Sequence, residues 1–321
     1  MLSFLKLIRV QNLLIIAFTQ YVVRWCLIFP ILKAQSSYFE LQLSELQFFL
    51  LVLSTVMIAA AGYIINDYFD VRTDKLNHPE RLVIDKGIKR RVAMGAHMVI
   101  NILAFMIGLY VSYSVGAPKL AFAHFMCISG LWFYSTTFKK QFLLGNLVIA
   151  AFTALVPFVV AVYESLACYK AYLPIDEKFN LNSLWIYCAG ICFFTFLITL
   201  IREIIKDIEK QEGDREHGYN TIPIAIGGKF SKLIIFIIIA VLLLFLTYHQ
   251  VKQFVTKDYL TIGYFLIALQ LPLLYLGFKV MKAGTKADFE KAETITKGIM
   301  FAGICYLFVF AYIILDFIKM I

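Results

Sequence analysis

Asn66, Asp67, Asp70 and Asp74 stand at the end of a long apolar run, and their spacing could do chemistry. If the helix of that run continues, Asn66, Asp70 and Asp74 fall at i, i+4 and i+8, and Asp67 sits one i+3 step from Asp70. All four then share one broad helix face. Such a face repels itself unless a cation lies against it. Carboxylate and amide oxygens are hard ligands, suited to Mg²⁺ or Ca²⁺ rather than to a thiophilic metal. A second polar island runs from Arg202 to Arg215. In it Glu203 and Asp207 are i, i+4, and Asp214 is seven residues further on. Asp214 returns near the same face if the helix persists past Gly213, with Lys210 within one step of it.

The elements that must carry these groups are membrane helices. Of 321 residues, 61% are hydrophobic and 16% charged, with a mean hydropathy of +0.80. A soluble domain carries about 25% charged residues. A hydrocarbon core of about 30 Å takes roughly 20 apolar residues per crossing. Nine such runs are present, at about 10–30, 46–66, 92–114, 118–138, 142–163, 183–204, 232–249, 258–281 and 295–317. Backbone in lipid must satisfy its own hydrogen bonds, so the runs are read as helices. The expected fold is all-α and polytopic: one transmembrane domain over 1–321, with nine transmembrane helices. Each acidic island follows an even-numbered run, which suggests two similar four-helix halves plus a ninth helix. An Asp at a helix centre costs about 2.5–3.5 kcal/mol on the insertion scale, so the islands are expected at the mouth of the bundle.

Charge sets the expected orientation. Lys and Arg concentrate in the loops after the second, sixth and eighth runs, among them Arg72, Arg81, Lys86, Lys89, Arg90, Arg91, Lys206, Lys210 and Arg215. The positive-inside rule then puts the N-terminus and both islands on the cytoplasmic side of the cell membrane, and the C-terminus opposite. The net charge of +9 reports this topology; a nucleic-acid surface is a poor reading of it. No cleavable signal is expected, because the apolar run after Met1–Arg9 is long and no small-residue cleavage site follows it. The six cysteines form no C-x-x-C pair and the five histidines lack metal spacing, so the cysteines are read as small core residues. Arg24, inside the first run, either snorkels to the outer face or pairs within the bundle.

Two acidic faces on one membrane side, each flanked by Arg and Lys, suit a diphosphate held through Mg²⁺. The membrane location implies a greasy remainder, hence a lipid diphosphate. In the same stretches the sequence resembles the UbiA-type intramembrane prenyltransferases. The resemblance rests on Asn66-Asp67-x-x-Asp70-x-x-x-Asp74, on Asp207 with the Glu212-Gly213-Asp214 ending, on Tyr134-Ser135-x-x-x-Lys139 and on Gly145-Asn146. Arg202-Glu203-x-x-Lys206-Asp207-Ile208-Glu209 makes it similar in particular to the geranylgeranylglycerol-phosphate geranylgeranyltransferases, which make a diether lipid.

The resemblance implies a prenyltransferase. Asn66, Asp70, Asp74, Asp207 and Asp214 would hold Mg²⁺, and Lys139, Lys206 and Arg215 would stabilise the leaving diphosphate. Asp67, Lys139 and Tyr134 are assigned to catalysis, with Asp67 accepting the acceptor's proton. Arg9, Asn12, Arg72, Arg81, Lys86, Lys89, Asn146 and Lys210 are assigned to substrate binding, and Arg81, Lys86 or Lys89 would take a glycerol phosphate. The implied partners are a prenyl diphosphate, a lipid-like acceptor and membrane lipids, with no obligatory protein partner. The chain departs from the family pattern at Lys210, where relatives commonly have Asp, and at Leu82-Val83-Ile84-Asp85-Lys86-Gly87, the loop that would read the acceptor. Two rivals stand beside this reading. An aromatic prenyltransferase would share the diphosphate chemistry but need no anion site for its acceptor. A cation-coupled transporter would set its acids near the membrane midplane.

Overall fold

A computed structural model describes residues 2–77 and 82–320. It is helical, and the described residues hold only one isolated bridge, Ile84 to Ile88. In chain order the helices are α1 (Leu2–Leu7), α2 (Val10–Gln35), α3 (Glu45–Asn77), α4 (Arg90–Ser114), α5 (Ala121–Thr136) and α6 (Leu144–Tyr172). Then come α7 (Asn182–Glu209), α8 (Gln211–Glu216), α9 (Ile222–Val255), α10 (Tyr259–Lys282) and α11 (Lys286–Met320). Each apolar run of the sequence lies in one helix. Among the described residues eight helices are long and apolar enough to cross a membrane. The run at 118–138 forms α5, whose 16 residues make about 24 Å of helix, short of a full crossing.

The chain forms two compact units, Met1–Lys139 with Leu155–Cys188 and Lys140–Ala154 with Ala189–Ile321. One boundary, after Lys139, falls between the fourth and fifth expected spans; the other two fall inside α6 and α7, so the units are not two uninterrupted four-helix halves.

In the first unit, small residues and short hydrogen bonds bring helices together, as expected where lipid removes the hydrophobic drive between them. Ser54 of α3 donates to the Ala104 carbonyl of α4 at 2.8 Å, and His97 Nδ1 meets the Ala61 carbonyl at 2.9 Å. Ser112 of α4 and Tyr163 of α6 share a hydrogen bond of 2.6 Å. Gly108 faces His124 so closely that a Cβ there would lie 2.2 Å from the ring. Gly108→Ala must push α4 and α5 apart, and a cost of about 1–3 kcal/mol is expected from overpacking. Thermal unfolding in detergent checks this; the wild-type midpoint in the variant would remove the argument.

The second unit packs around an apolar core from α7, α9, α10 and α11, including Ile201, Ile205, Leu242, Leu273 and Ala292. α9 is broken near its start at Gly227, whose φ of 82° suits glycine, so the expected span at 232–249 falls in its straight part. Two π-helical turns, Arg24–Ile28 in α2 and Phe265–Gln270 in α10, each carry a buried polar side chain, Arg24 and Gln270.

Candidate active site

α3 has 33 residues, about 50 Å of helix, so its last turns outrun the thickness of a hydrocarbon core. Those turns carry the first acidic island. Asp70 is only 9% exposed, and Lys139 donates to its carboxylate from the short turn Phe138–Lys140 that follows α5. One turn earlier, Asp67 accepts from Arg9 at 2.7 Å. Arg9 occupies the left-handed break between α1 and α2 (φ 51°), and its guanidinium lies over the Tyr63 ring at 4.9 Å. Burial works against the Arg9 charge, but Asp67, with Tyr63 and Asp74 behind it, holds the guanidinium above its ordinary pKa. Asn66 and Asp74 are half-buried on the same helix end, whereas Arg72 is exposed.

The basic loop is anchored to this helix end. Leu7, Ile64, Val71, Ile84 and Ala93 form one buried apolar cluster joining α1, α3, the turn at 82–88 and α4. Lys86 and Lys89 are exposed on and just after that turn, and Arg90 donates to the Tyr68 carbonyl at 3.2 Å while lying over the Tyr68 ring. Asn12 is half-buried one turn after Arg9, and Tyr134 is half-buried on α5. Arg81 lies outside the described residues.

The second island belongs to the other compact unit. Asp207 of α7 accepts a 2.7 Å hydrogen bond from the side chain of Asn146, which is buried at the start of α6. Glu203 is not part of an open acidic face with Asp207. Its oxygens take Lys206 at 2.8 and 3.0 Å and Arg202 at 3.2 Å. The helix condition placed on Asp214 is also not met. α7 stops at Glu209, Lys210 has non-helical angles (φ −94°, ψ 4°), and a separate short helix, α8, carries Gly213 and Asp214. Seven residues across that break do not return to one face. Asp214 is nevertheless buried, at 6% exposure, and its carbonyl accepts from the Tyr219 backbone at 3.0 Å. Lys210 is half-buried and Arg215 exposed.

Sequence reasoning missed Glu293. This residue of α11 accepts from Arg202 at 2.9 and 3.1 Å and pairs with Lys297 at 3.0 Å. The only local signal was the Glu293-x-x-x-Lys297 spacing, which lay at the margin of the last apolar run.

Among the described residues no group of three His, Cys, Asp or Glu side chains converges as a ready metal cage. The donor sets still fit a hard divalent ion, because each consists of carboxylate and amide oxygens. Asp70 already holds a cationic nitrogen, Lys139, and Asp207 an amide nitrogen, Asn146. A carboxylate offers about four lone-pair sites, so each retains capacity for a further positive partner.

Comparison with known proteins agrees with this architecture. The model of the UbiA prenyltransferase family matches residues 23–314. The digeranylgeranylglyceryl phosphate synthase of Sulfolobus acidocaldarius is 32% identical over 244 residues, 75% of each chain. A solved structure concerned with digeranylgeranylglyceryl phosphate synthase in membranes superposes with a TM-score of 0.64 at 22% identity, covering 96% of this chain and 97% of that one. A UbiA homolog from Archaeoglobus fulgidus bound to GPP and Mg²⁺ superposes with a TM-score of 0.56 at 16% identity, covering 96% and 99%. Those two likenesses are of fold. With its long apolar helices and a family match over most of its length, the chain belongs to the UbiA prenyltransferase family and is a multi-pass integral membrane prenyltransferase.

Proposed function

We propose that the protein transfers a prenyl group, geranylgeranyl in the first instance, from its diphosphate to the hydroxyl of a prenylglycerol phosphate in a Mg²⁺-dependent reaction. The observation that carries this reading is the end of α3. There, a buried carboxylate bound to Lys139 sits one turn from a second carboxylate bound to Arg9, beside an anchored basic turn. The names of relatives point the same way, as does the homolog solved with GPP and Mg²⁺.

Asn66, Asp70 and Asp74 would hold one Mg²⁺ site, and Asp207 and Asp214 the other. Bound Mg²⁺ would neutralise diphosphate oxygens and so favour departure of the leaving group. The side chains do the rest. Lys139, Lys206 and Arg215 offer fixed positive charge to the diphosphate as the allylic C–O bond breaks. The acceptor oxygen forms the new C–O bond and releases its proton, which Asp67 accepts; the Arg9 guanidinium, 2.7 Å away, holds the Asp67 carboxylate in place. Diphosphate leaves with the electron pair of the broken bond. Arg81, Lys86 and Lys89 take the acceptor's phosphate, with Arg9, Asn12, Arg72, Asn146, Lys210 and Tyr134 completing the polar surroundings. The whole chain acts as one transmembrane domain, crossing nine times with α5 as the short fourth crossing, and with the N-terminus and both islands cytoplasmic.

The test is direct. Purified protein is given Mg²⁺, labelled geranylgeranyl diphosphate and either prenylglycerol phosphate or an aromatic quinone precursor. Ether product and pyrophosphate are expected with the first acceptor only, and chelation with EDTA should remove activity. Product on the aromatic acceptor alone would refute the acceptor assignment, and EDTA-resistant turnover would refute the metal requirement.

A further inference from the structure

Arg202, Glu203, Lys206, Glu293 and Lys297 form one chain of ion pairs, running Lys206–Glu203–Arg202–Glu293–Lys297. Every member but Lys297 has a side chain less than a quarter exposed. Charges in such surroundings persist only when paired, and removing one partner reassigns the rest. Two anions serve three cations, so the sharing matters. Lys206 donates to both Glu203 oxygens, at 2.8 and 3.0 Å, and Arg202 shares one of them, at 3.2 Å. Arg202 makes this sharing possible because its Nε and second terminal nitrogen are satisfied by Glu293, leaving one terminal nitrogen for Glu203.

We propose that Glu293 is a positioning residue for the diphosphate site: by holding Arg202 it leaves Glu203 to fix the Lys206 ammonium beside Asp207. The inference rests on the assignment of Lys206 to the diphosphate. Without Glu293, Arg202 has Glu203 as its remaining acidic partner in the chain. A guanidinium facing a carboxylate takes it bidentately, which displaces Lys206. The last long helix, which carries none of the family's recognised motifs in this sequence, thereby reaches the reacting groups through two intermediaries. Lys297, half exposed at the far end of the chain, touches only Glu293 within it and is of little consequence to Lys206.

The experiment is a double-substitution cycle on the purified full chain, reading KM for the prenyl diphosphate, KM for the acceptor and kcat. E293Q should raise the diphosphate KM about tenfold, the order expected when one charge-assisted hydrogen bond to the ligand is misplaced, with the acceptor KM unmoved. E293D, which keeps the carboxylate, should stay near wild type, as should K297Q. K206M should itself raise the diphosphate KM, and in that background E293Q should add nothing. An equal E293Q effect with and without Lys206 would show a merely structural role and overturn the proposal. A K206M enzyme with wild-type diphosphate KM would overturn it differently, by removing Lys206 from the site. Should E293Q not fold, R202M replaces it and carries the same expectation and the same refutation.

Discussion

Asp70→Asn should lower turnover by about 10²–10³-fold, the range seen when a preorganised charge-stabilising group is removed. Asp70 is nearly buried and engages Lys139 from a different helix connection. An amide keeps the size of the side chain but gives up its charge. It then holds a divalent ion poorly and leaves the Lys139 ammonium without its counter-charge. Asp207→Asn should do the same at the second island, where Asn146 is the protein's own donor. The effect should appear in kcat and in the Mg²⁺ concentration needed for half activity, while the thermal midpoint stays within a few degrees. An Asp70→Asn enzyme that retained more than a tenth of wild-type turnover at saturating Mg²⁺ would remove the metal assignment from α3.

The second large effect concerns stability. Arg24 is 1% exposed within α2, and Glu164 of α6 is 0% exposed. Arg24 donates to the Leu43 carbonyl and lies 3.4 Å from Glu164 and 3.2 Å from Glu45, with its guanidinium 4.3 Å from the centre of the Phe48 ring. Glu164 in turn accepts the Gln42 and Leu43 backbone N–H groups, the latter at 3.0 Å. The pair thus ties the segment before α3 to α2 and α6. Glu164→Ala leaves the buried guanidinium with only the solvent-exposed Glu45 as a counter-charge and strands two backbone donors, and a loss of about 3–5 kcal/mol is expected. A fall in the detergent thermal midpoint and loss of a monodisperse peak are the readouts. The double variant R24L/E164L should recover part of the loss, because it leaves no buried charge unpaired, Glu45 being exposed to water. A single Glu164→Ala protein as stable as wild type would mean that water reaches the site.

The same residues mark how far the sequence could be read. Hydropathy located every long helix, because lipid forces backbone to pair within its own segment. The acids at the end of α3 were legible because their spacing matches one continuous helix; in the second island the break at Lys210 takes Asp214 off that period. The fate of Arg24 was left between snorkelling and pairing, since its partner Glu164 lies four helices later and no local pattern announces it. Glu293 was lost for a related reason. The last span was expected to begin near 295, which left Glu293 outside it, whereas α11 begins at Lys286. The sequence marked Gly213 as the place where the second island's helix could end; the helix stops earlier, at Glu209, because the break falls on Lys210, itself a good helix former with no stop signal of its own. The turn at 82–88 departs from the family pattern, and its apolar members, Leu82, Val83, Ile84 and Ile88, make sense only as packing for α1 and α3.

The lysine that meets Asp70 has a consequence for how the chain is made. Lys139 leaves the ribosome 69 residues after Asp70. At about 5–20 residues per second this is a delay of roughly 3–14 seconds. Arg9, by contrast, is synthesised 58 residues before Asp67 and is waiting for it. During biogenesis one carboxylate of α3 therefore meets its counter-charge as soon as it emerges. The other stays hydrated until α5 has been delivered, and the acid-bearing end of α3 cannot finish docking before that moment.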